Sequence, residues 1–308
     1  MYDLMILGGG PAGLAASVYA ARKQLKTLLI SEDIGGQMSM TLDIENYLGY
    51  QFIGGPELID KFQAQVNQFP IDQKIGKKIC RLKKIIGGFE VATKSGDSYK
   101  SKVVILATGK RPRKLNVLGE TEFTGKGITY CAICDGPIFA KQRVAIIGGG
   151  NSALEAAFDM AKIAEHVHLI SLTALTGDAI LIDKLSNTKN LTIFTEHETK
   201  EIKGEDFVNG ILIRDLHNGQ SRLLEVAGVF VEIGLIPNSE PVSELVKLNK
   251  HGEVPVNCSC ETKLSGLFAA GDVTDVPEKQ IVIATGEGAK AALQAHRYLR
   301  RLPNHPTP

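Results

Sequence analysis

Short apolar runs that end in glycine punctuate this chain. Tyr2-Asp3-Leu4-Met5-Ile6-Leu7 passes directly into Gly8-Gly9-Gly10-Pro11-Ala12-Gly13, with a helical stretch behind it. An apolar run of this length, closed by turn residues, reads as a buried strand, so the pattern predicts strand, turn and helix. The arrangement recurs at Val144-Ala145-Ile146-Ile147, which continues as Gly148-Gly149-Gly150-Asn151-Ser152-Ala153 and then as the helical Leu154 to Ile163. Two nucleotide-type half-folds of an α/β protein are therefore expected.

Small residues at such a turn let the backbone approach a pyrophosphate, whose charge is met by N–H groups at the start of the helix. A lone G-x-G-x-x-G says little; the strand before it and the helix behind it give it weight. In the first copy the next strand, Thr27-Leu28-Leu29-Ile30, ends at Ser31-Glu32. An acid about twenty residues past the glycines is placed to accept from a ribose hydroxyl. Val103 to Leu106 ends in Ala107-Thr108-Gly109, and Leu267-Phe268-Ala269-Ala270 ends in Gly271-Asp272. Both read as strand ends beside a ligand, although an Asp in this position also serves simply to close a turn.

With 308 residues the chain exceeds the usual size of one hydrophobic core, so two domains are expected. Its 35 basic and 34 acidic residues leave a formal charge of +1, no field to draw in nucleic acid or an anionic membrane. No apolar stretch reaches the roughly 18 residues that span a bilayer. Met1 lacks a following basic region, and the first apolar run enters a glycine loop, so no signal peptide and a cytoplasmic location are expected.

Five cysteines are too sparse for a disulfide scaffold in a chain this long. Cys131-Ala132-Ile133-Cys134-Asp135 carries the chemistry. A C-x-x-C spacing lets two thiols close a small ring, and one thiol of such a pair is readily lowered in pKa so that its thiolate exchanges with another disulfide. Asp135 adds a carboxyl able to act as general acid beside them. The competing reading is a zinc site completed by Cys258 and Cys260; C-x-C matches common zinc spacings poorly and there is no second C-x-x-C, so no metal is expected. Cys80, Cys258 and Cys260 read as ordinary strand residues, and His166 and His168 alternate on a strand. Arg297, Arg300 and Arg301 read as a solvated face of a terminal helix, and Pro303 to Pro308 as a disordered tail.

Taken together, these residues resemble the low-molecular-weight thioredoxin reductases and the related flavoprotein component of alkyl hydroperoxide reductase. The likeness runs through Gly8 to Gly13, Gly35-Gly36-Gln37, Glu45-Asn46-Tyr47, Ala107-Thr108-Gly109, Cys131 to Gly136, Gly148 to Ala153, Gly234 to Asn238, Gly271-Asp272 and Gln280 through Ala291. It implies two Rossmann-like three-layer domains, the second inserted in the first: an FAD domain of residues 1–114 plus 245–308, and a pyridine-nucleotide-type domain of residues 115–244 that carries the cysteine pair. The implied FAD site comprises Gly8, Gly10, Pro11, Ala12, Gly13, Glu32, Gly36, Gln37, Asn46, Ala107, Thr108, Gly109, Gly271, Asp272, Gln280 and Ile281. Also implied are Cys134 facing the flavin, Cys131 attacking a partner such as thioredoxin, Asp135 as acid, domains that swing, and a homodimer. The hydroperoxide reductase component has an extra N-terminal dithiol region, whereas this chain starts at the FAD strand, which favours a separate thioredoxin-like partner.

The second glycine loop offers Gly148, Gly150, Asn151 and Ser152 to a further nucleotide. Its following strand, however, ends in Ser171-Leu172-Thr173-Ala174-Leu175-Thr176-Gly177. Without Arg or Lys for a 2'-phosphate, NADPH is disfavoured. NADH would have only the Ser171 hydroxyl, with Asp178 or a backbone group as substitutes. A low-potential carrier such as ferredoxin is the other donor compatible with this pattern, with the glycines kept for packing. A redox sensor without rapid turnover and a dithiol oxidase are the remaining readings.

Overall fold

The computed structural model describes residues 1–302 apart from 41, 42 and 45; Glu45 of the expected motif and the tail from Pro303 to Pro308 lie outside the described residues. The chain opens with β1 (Tyr2–Leu7), α1 (Pro11–Arg22) and β2 (Thr27–Ser31). β3 (Asp43–Ile44) and β4 (Ile53–Gly54) form a small hairpin, followed by α2 (Gly55–Val66), β5 (Asp72–Ile75), β6 (Ile79–Ile85), β7 (Gly88–Thr93) and β8 (Ser98–Leu106).

These strands build one sheet in the order β5-β2-β1-β8-β7-β6. The first four run parallel, and β7 and β6 turn back antiparallel. Successive residues of β1 point to opposite faces: Leu4 and Ile6 enter one apolar core, Met5 and Leu7 another. Both faces are covered, which is why residues 4–7 read as an unbroken apolar run rather than an alternating one.

After β9 (Lys110–Pro112) the chain leaves this sheet. α3 (Glu120–Phe123), β10 (Ile128–Thr129), α4 (Ala132–Asp135), β11 (Arg143–Ile147), α5 (Asn151–Met160), β12 (His166–Ile170), α6 (Ala179–Ser186) and β13 (Leu191–Phe194) follow. Next come β14 (His197–Gly204), β15 (Val208–Asp215) and β16 (Ser221–Glu225), an antiparallel three-stranded sheet, then β17 (Gly228–Val231) and β18 (Leu235–Pro237). A second parallel sheet results, ordered β10-β17-β11-β12-β13. β18 returns antiparallel to β9, so the chain crosses between the lobes on a two-stranded ribbon.

β19 (Leu267–Ala269) then rejoins the first sheet, parallel to the last three residues of β8, and α7 (Ile281–Leu299) packs along α1. That contact depends on glycine: a Cβ on Gly288 would lie 1.9 Å from the Ala12 carbonyl oxygen. The architecture is α/β, with two Rossmann-like sheets, the second reached by leaving the first and returning to it. One strand expectation fails. Cys80 lies on β6, but Cys258 and Cys260 lie in a turn, because the Asn257 side chain accepts the N–H groups of Ser259 and Glu261 and folds the backbone there.

Candidate active site

β1 and β8 end side by side, and the first glycine loop is moulded against that edge. A Cβ on Gly8 would meet the Ala107 carbonyl oxygen at 2.2 Å, and one on Gly13 would meet the Gly8 carbonyl oxygen at 1.9 Å. Gly10, which caps α1 ahead of Pro11, differs: a Cβ there would meet no protein atom within 4 Å. The glycines at 8 and 13 serve the fold, and the one at 10 keeps a space clear in front of the helix N-terminus, where Ala12 sits in the first turn.

Gly36 and Gly271 reach this loop, and the other expected residues are held by partners of their own. Gly36 lies with its missing Cβ 3.6 Å from the Gly10 α-carbon, and the neighbouring Gln37 Nε2 donates to Asp272 Oδ2 at 3.1 Å. Burial raises the Asp272 carboxyl above its usual range, against the pull of Lys279, Lys110 and Gln37. Asn46 Nδ2 donates to Gln280 Oε1 at 3.2 Å, and Gln280 caps α7 just ahead of Ile281. Thr108 and Asn238 exchange two bonds, Thr108 Oγ1 to the Asn238 carbonyl (2.7 Å) and Asn238 Nδ2 to the Thr108 carbonyl (2.8 Å); Gly109 accepts from the Asn238 N–H. Glu32 stands at the carboxyl end of β2, exposed and 3.1 Å from Lys78 Nζ.

Four residues contribute here without being legible as motifs. Ser31 Oγ accepts the Gly9 N–H at 2.7 Å, fixing the loop from the next strand. Glu287, buried on α7, accepts the Gly271 N–H at 2.7 Å. Lys110 and Glu253, both largely buried, pair at 2.6 Å beside Lys279, whose ammonium burial pushes down in pKa. The sequence signal available was a single acid among small residues in the run Thr285-Gly286-Glu287-Gly288.

Cys131 and Cys134 are joined as a disulfide, with Cα atoms 5.3 Å apart. Cys131 caps α4, and its Sγ accepts the Cys134 N–H at 3.2 Å. Such an N–H stabilises a thiolate on Cys131 once the bond opens. Asp135 is buried, and Thr129 Oγ1 donates to its Oδ2. α4 packs against β3, the strand between Gln37 and Asn46. The cysteine pair of the second lobe thus abuts the lobe that carries the first glycine loop.

The second glycine loop repeats the logic of the first. Gly148 has φ +147° and would place a Cβ 2.3 Å from the Glu232 carbonyl oxygen, whereas Gly150 opens onto free space. The strand register corrects one expectation. Leu7 pairs with Ile30 and Ile147 with Ile170, so Ser171 corresponds to Ser31, and the counterpart of Glu32 is Leu172. Ser171 is only 2% exposed, packed against Gly149, and offers no hydroxyl to a ribose. Leu172 is 60% exposed. Thr176 donates its N–H to the Gly149 carbonyl, and Asn151 Oδ1 accepts the Asp178 N–H at 2.7 Å, so the loop after β12 folds back onto the glycine turn, with Ser152 exposed beside it.

Residues 2–292 match the family of pyridine nucleotide-disulphide oxidoreductases. The chain belongs to this family. Among curated relatives it is 44% identical over 305 residues to the alkyl hydroperoxide reductase F protein of Escherichia coli K12, and 42% identical over 301 residues to its namesake in Staphylococcus aureus MSSA476. Each match takes in 97% of this chain but only 58% and 59% of those relatives. Among solved structures, thioredoxin reductase from Streptococcus pyogenes MGAS5005 superposes with a TM-score of 0.92 at 35% identity, covering 98% of this chain and 99% of that one. The Lactococcus lactis thioredoxin reductase in its FR conformation gives 0.69 at 32% identity, with coverage of 98% and 100%. Among the described residues no helix is long and apolar enough to cross a membrane.

Proposed function

We propose that this chain is an FAD-dependent disulfide reductase of the thioredoxin reductase kind, passing electrons through the Cys131 and Cys134 dithiol to a thioredoxin-like protein disulfide. The observation that carries the reading is the disulfide in α4 lodged against β3 of the lobe that holds the first glycine loop. The residues there fit a flavin dinucleotide: Gly10 leaves room for a pyrophosphate at the N-terminus of α1, Glu32 suits a ribose, and two polar pairs, Gln37 with Asp272 and Asn46 with Gln280, supply hydrogen-bonding groups. Bound FAD would supply a two-electron carrier.

In this reading Cys134 faces the flavin, and Cys131 attacks the partner disulfide, forming a mixed disulfide that Cys134 then resolves. Asp135, held by Thr129, exchanges the proton at the Cys134 Sγ. Access for a protein partner calls for the lobes to swing. The fall in TM-score from 0.92 to 0.69 between two thioredoxin reductases of similar identity and coverage supports a fold that exists in more than one lobe setting. The lobes would be residues 1–114 with 245–308, and residues 115–244, working as a homodimer in the cytoplasm.

The exposed Leu172 and the absence of Arg or Lys from residues 171–177 argue against NADPH. NADH, bound without a ribose acid, and reduced ferredoxin are the donors this arrangement suits. The test is anaerobic reduction of the purified flavoprotein with NADPH, NADH and reduced ferredoxin separately, following flavin bleaching with thioredoxin present. Bleaching by NADH or ferredoxin with thioredoxin reduction is expected; rapid bleaching by NADPH overturns the donor reading, and no thioredoxin reduction with any donor overturns the partner.

A further inference from the structure

Glu232 follows β17 and sits between the second glycine loop and the cysteine pair. Its N–H donates to the Ile147 carbonyl at 2.8 Å, and its own carbonyl is the group that forces glycine at 148. Its side chain turns the other way: Oε1 accepts the N–H of Ala132 at 3.2 Å, one peptide from Cys131. Burial pushes this carboxyl up to about 7, against the pull of the Ala132 N–H. On the surrounding elements, α4 carries the cysteines and Asp135, β10 carries Thr129, and the Gly148–Gly150 turn carries no charge. Arg143 stands at the far end of β11, and Glu155 and Asp159 of α5 are exposed.

We propose that Glu232 is a positioning residue that sets the acidity of the Cys131 thiol, holding the first amide of α4 and opposing thiolate charge beside it. The proposal rests on the reading of the pair as redox-active. Two groups act on the Cys131 sulfur in opposite senses. The Cys134 N–H favours a thiolate there, and a charged Glu232 disfavours one. Reduction breaks the S–S bond and adds two electrons and two protons, which an external dithiol supplies as it closes to its own disulfide. The Cys131 thiol then loses its proton to solvent with a pKa governed by this balance.

The experiment measures iodoacetamide alkylation of Cys131 against pH, by peptide mass spectrometry, in C134S and in C134S/E232Q. Gln keeps an acceptor for the Ala132 N–H and removes only the charge. At pH 8 the double variant should react about tenfold faster, and the two should converge below pH 6, where Glu232 is protonated. Equal rates at both pH values overturn the role of Glu232, because a purely structural acceptor predicts that result. Should E232Q fold poorly, the C134S profile alone decides: Cys131 should show an inflection near neutrality that the exposed Cys258 of the same chain lacks, and its absence counts against the proposal. A wild-type pair that dithiothreitol does not reduce defeats the redox reading of the pair and the proposal with it.

Discussion

The buried carboxylate of Glu287 on α7 accepts the N–H of Gly271, the residue ahead of Asp272, at 2.7 Å. Gly271 has φ +74° and packs against Ala12 of α1, so this one bond joins the strand end, the glycine loop and the last helix. Replacing Glu287 by Leu leaves a buried N–H without an acceptor and should cost about 1–3 kcal/mol. Urea unfolding of E287L should show a lower midpoint together with weaker flavin retention on gel filtration; a wild-type midpoint would show that the bond is dispensable.

Substitutions at Gly10 and Gly13 are expected to separate binding from folding. A methyl at 10 enters open space, while a methyl at 13 strikes the Gly8 carbonyl oxygen at 1.9 Å. G10A should therefore keep its thermal stability as apoprotein and lose the yellow flavin absorbance. G13A should be destabilised by about 2 kcal/mol or more, through forced movement of the loop. Equal effects of the two substitutions would remove the assignment of the space at Gly10 to a cofactor.

The two cysteines should fail in different ways. C134S leaves Cys131 to attack a partner without resolution, so a stable mixed disulfide with thioredoxin should appear on a non-reducing gel. C131S should yield none. D135N should keep the disulfide but slow thioredoxin reduction by about 10²-fold, the usual scale for loss of a general acid.

Leu172 can be converted into the acid that its counterpart Glu32 already is. L172D should tighten NADH about tenfold, by one charge-assisted bond to the ribose, measured by fluorescence titration. If NADH affinity does not move, the second glycine loop binds no nucleotide in this way and serves packing.

His168 links stability to pH. Burial, followed by the charges of His166, Arg222 and Arg143, lowers it to about 4 from 6.5. The unfolded chain takes up this proton near pH 6.5 and the folded chain only near 4, so stability should fall as pH drops through that window. Melting temperature should decline more steeply between pH 6.5 and 4 in the wild type than in H168F; parallel curves would assign the acid sensitivity to other groups.

Much of this molecule is local in origin and was readable as such. Residues 4–7 of β1 and 144–147 of β11 are apolar on both faces, so they appear in the sequence as unbroken runs, and each is followed at once by a glycine cluster. The cysteine pair is legible because three residues of separation already bring its thiols within bonding range. Long-range convergence was not readable. Gln37 and Asp272 meet across 235 residues, and Glu287 reaches Gly271 only because α7 lies on α1 at a glycine contact.

Register was also beyond the linear pattern. Ser171 and Leu172 are adjacent, and nothing in their order tells which faces the core; the pairing of β12 with β11 buries the serine and exposes the leucine, moving the expected ribose position by one residue. The same holds for Glu232, which reads as one acid in an apolar strand until the fold sets it against the Ala132 amide. The sequence by itself determined the apolar strands, the glycine turns and the spacing on which the chemistry proposed for the cysteine pair rests, because these depend on neighbouring residues. Only the tertiary structure decided which side chains face that chemistry, since side-chain direction at a strand end is fixed by pairing and packing across the sheet.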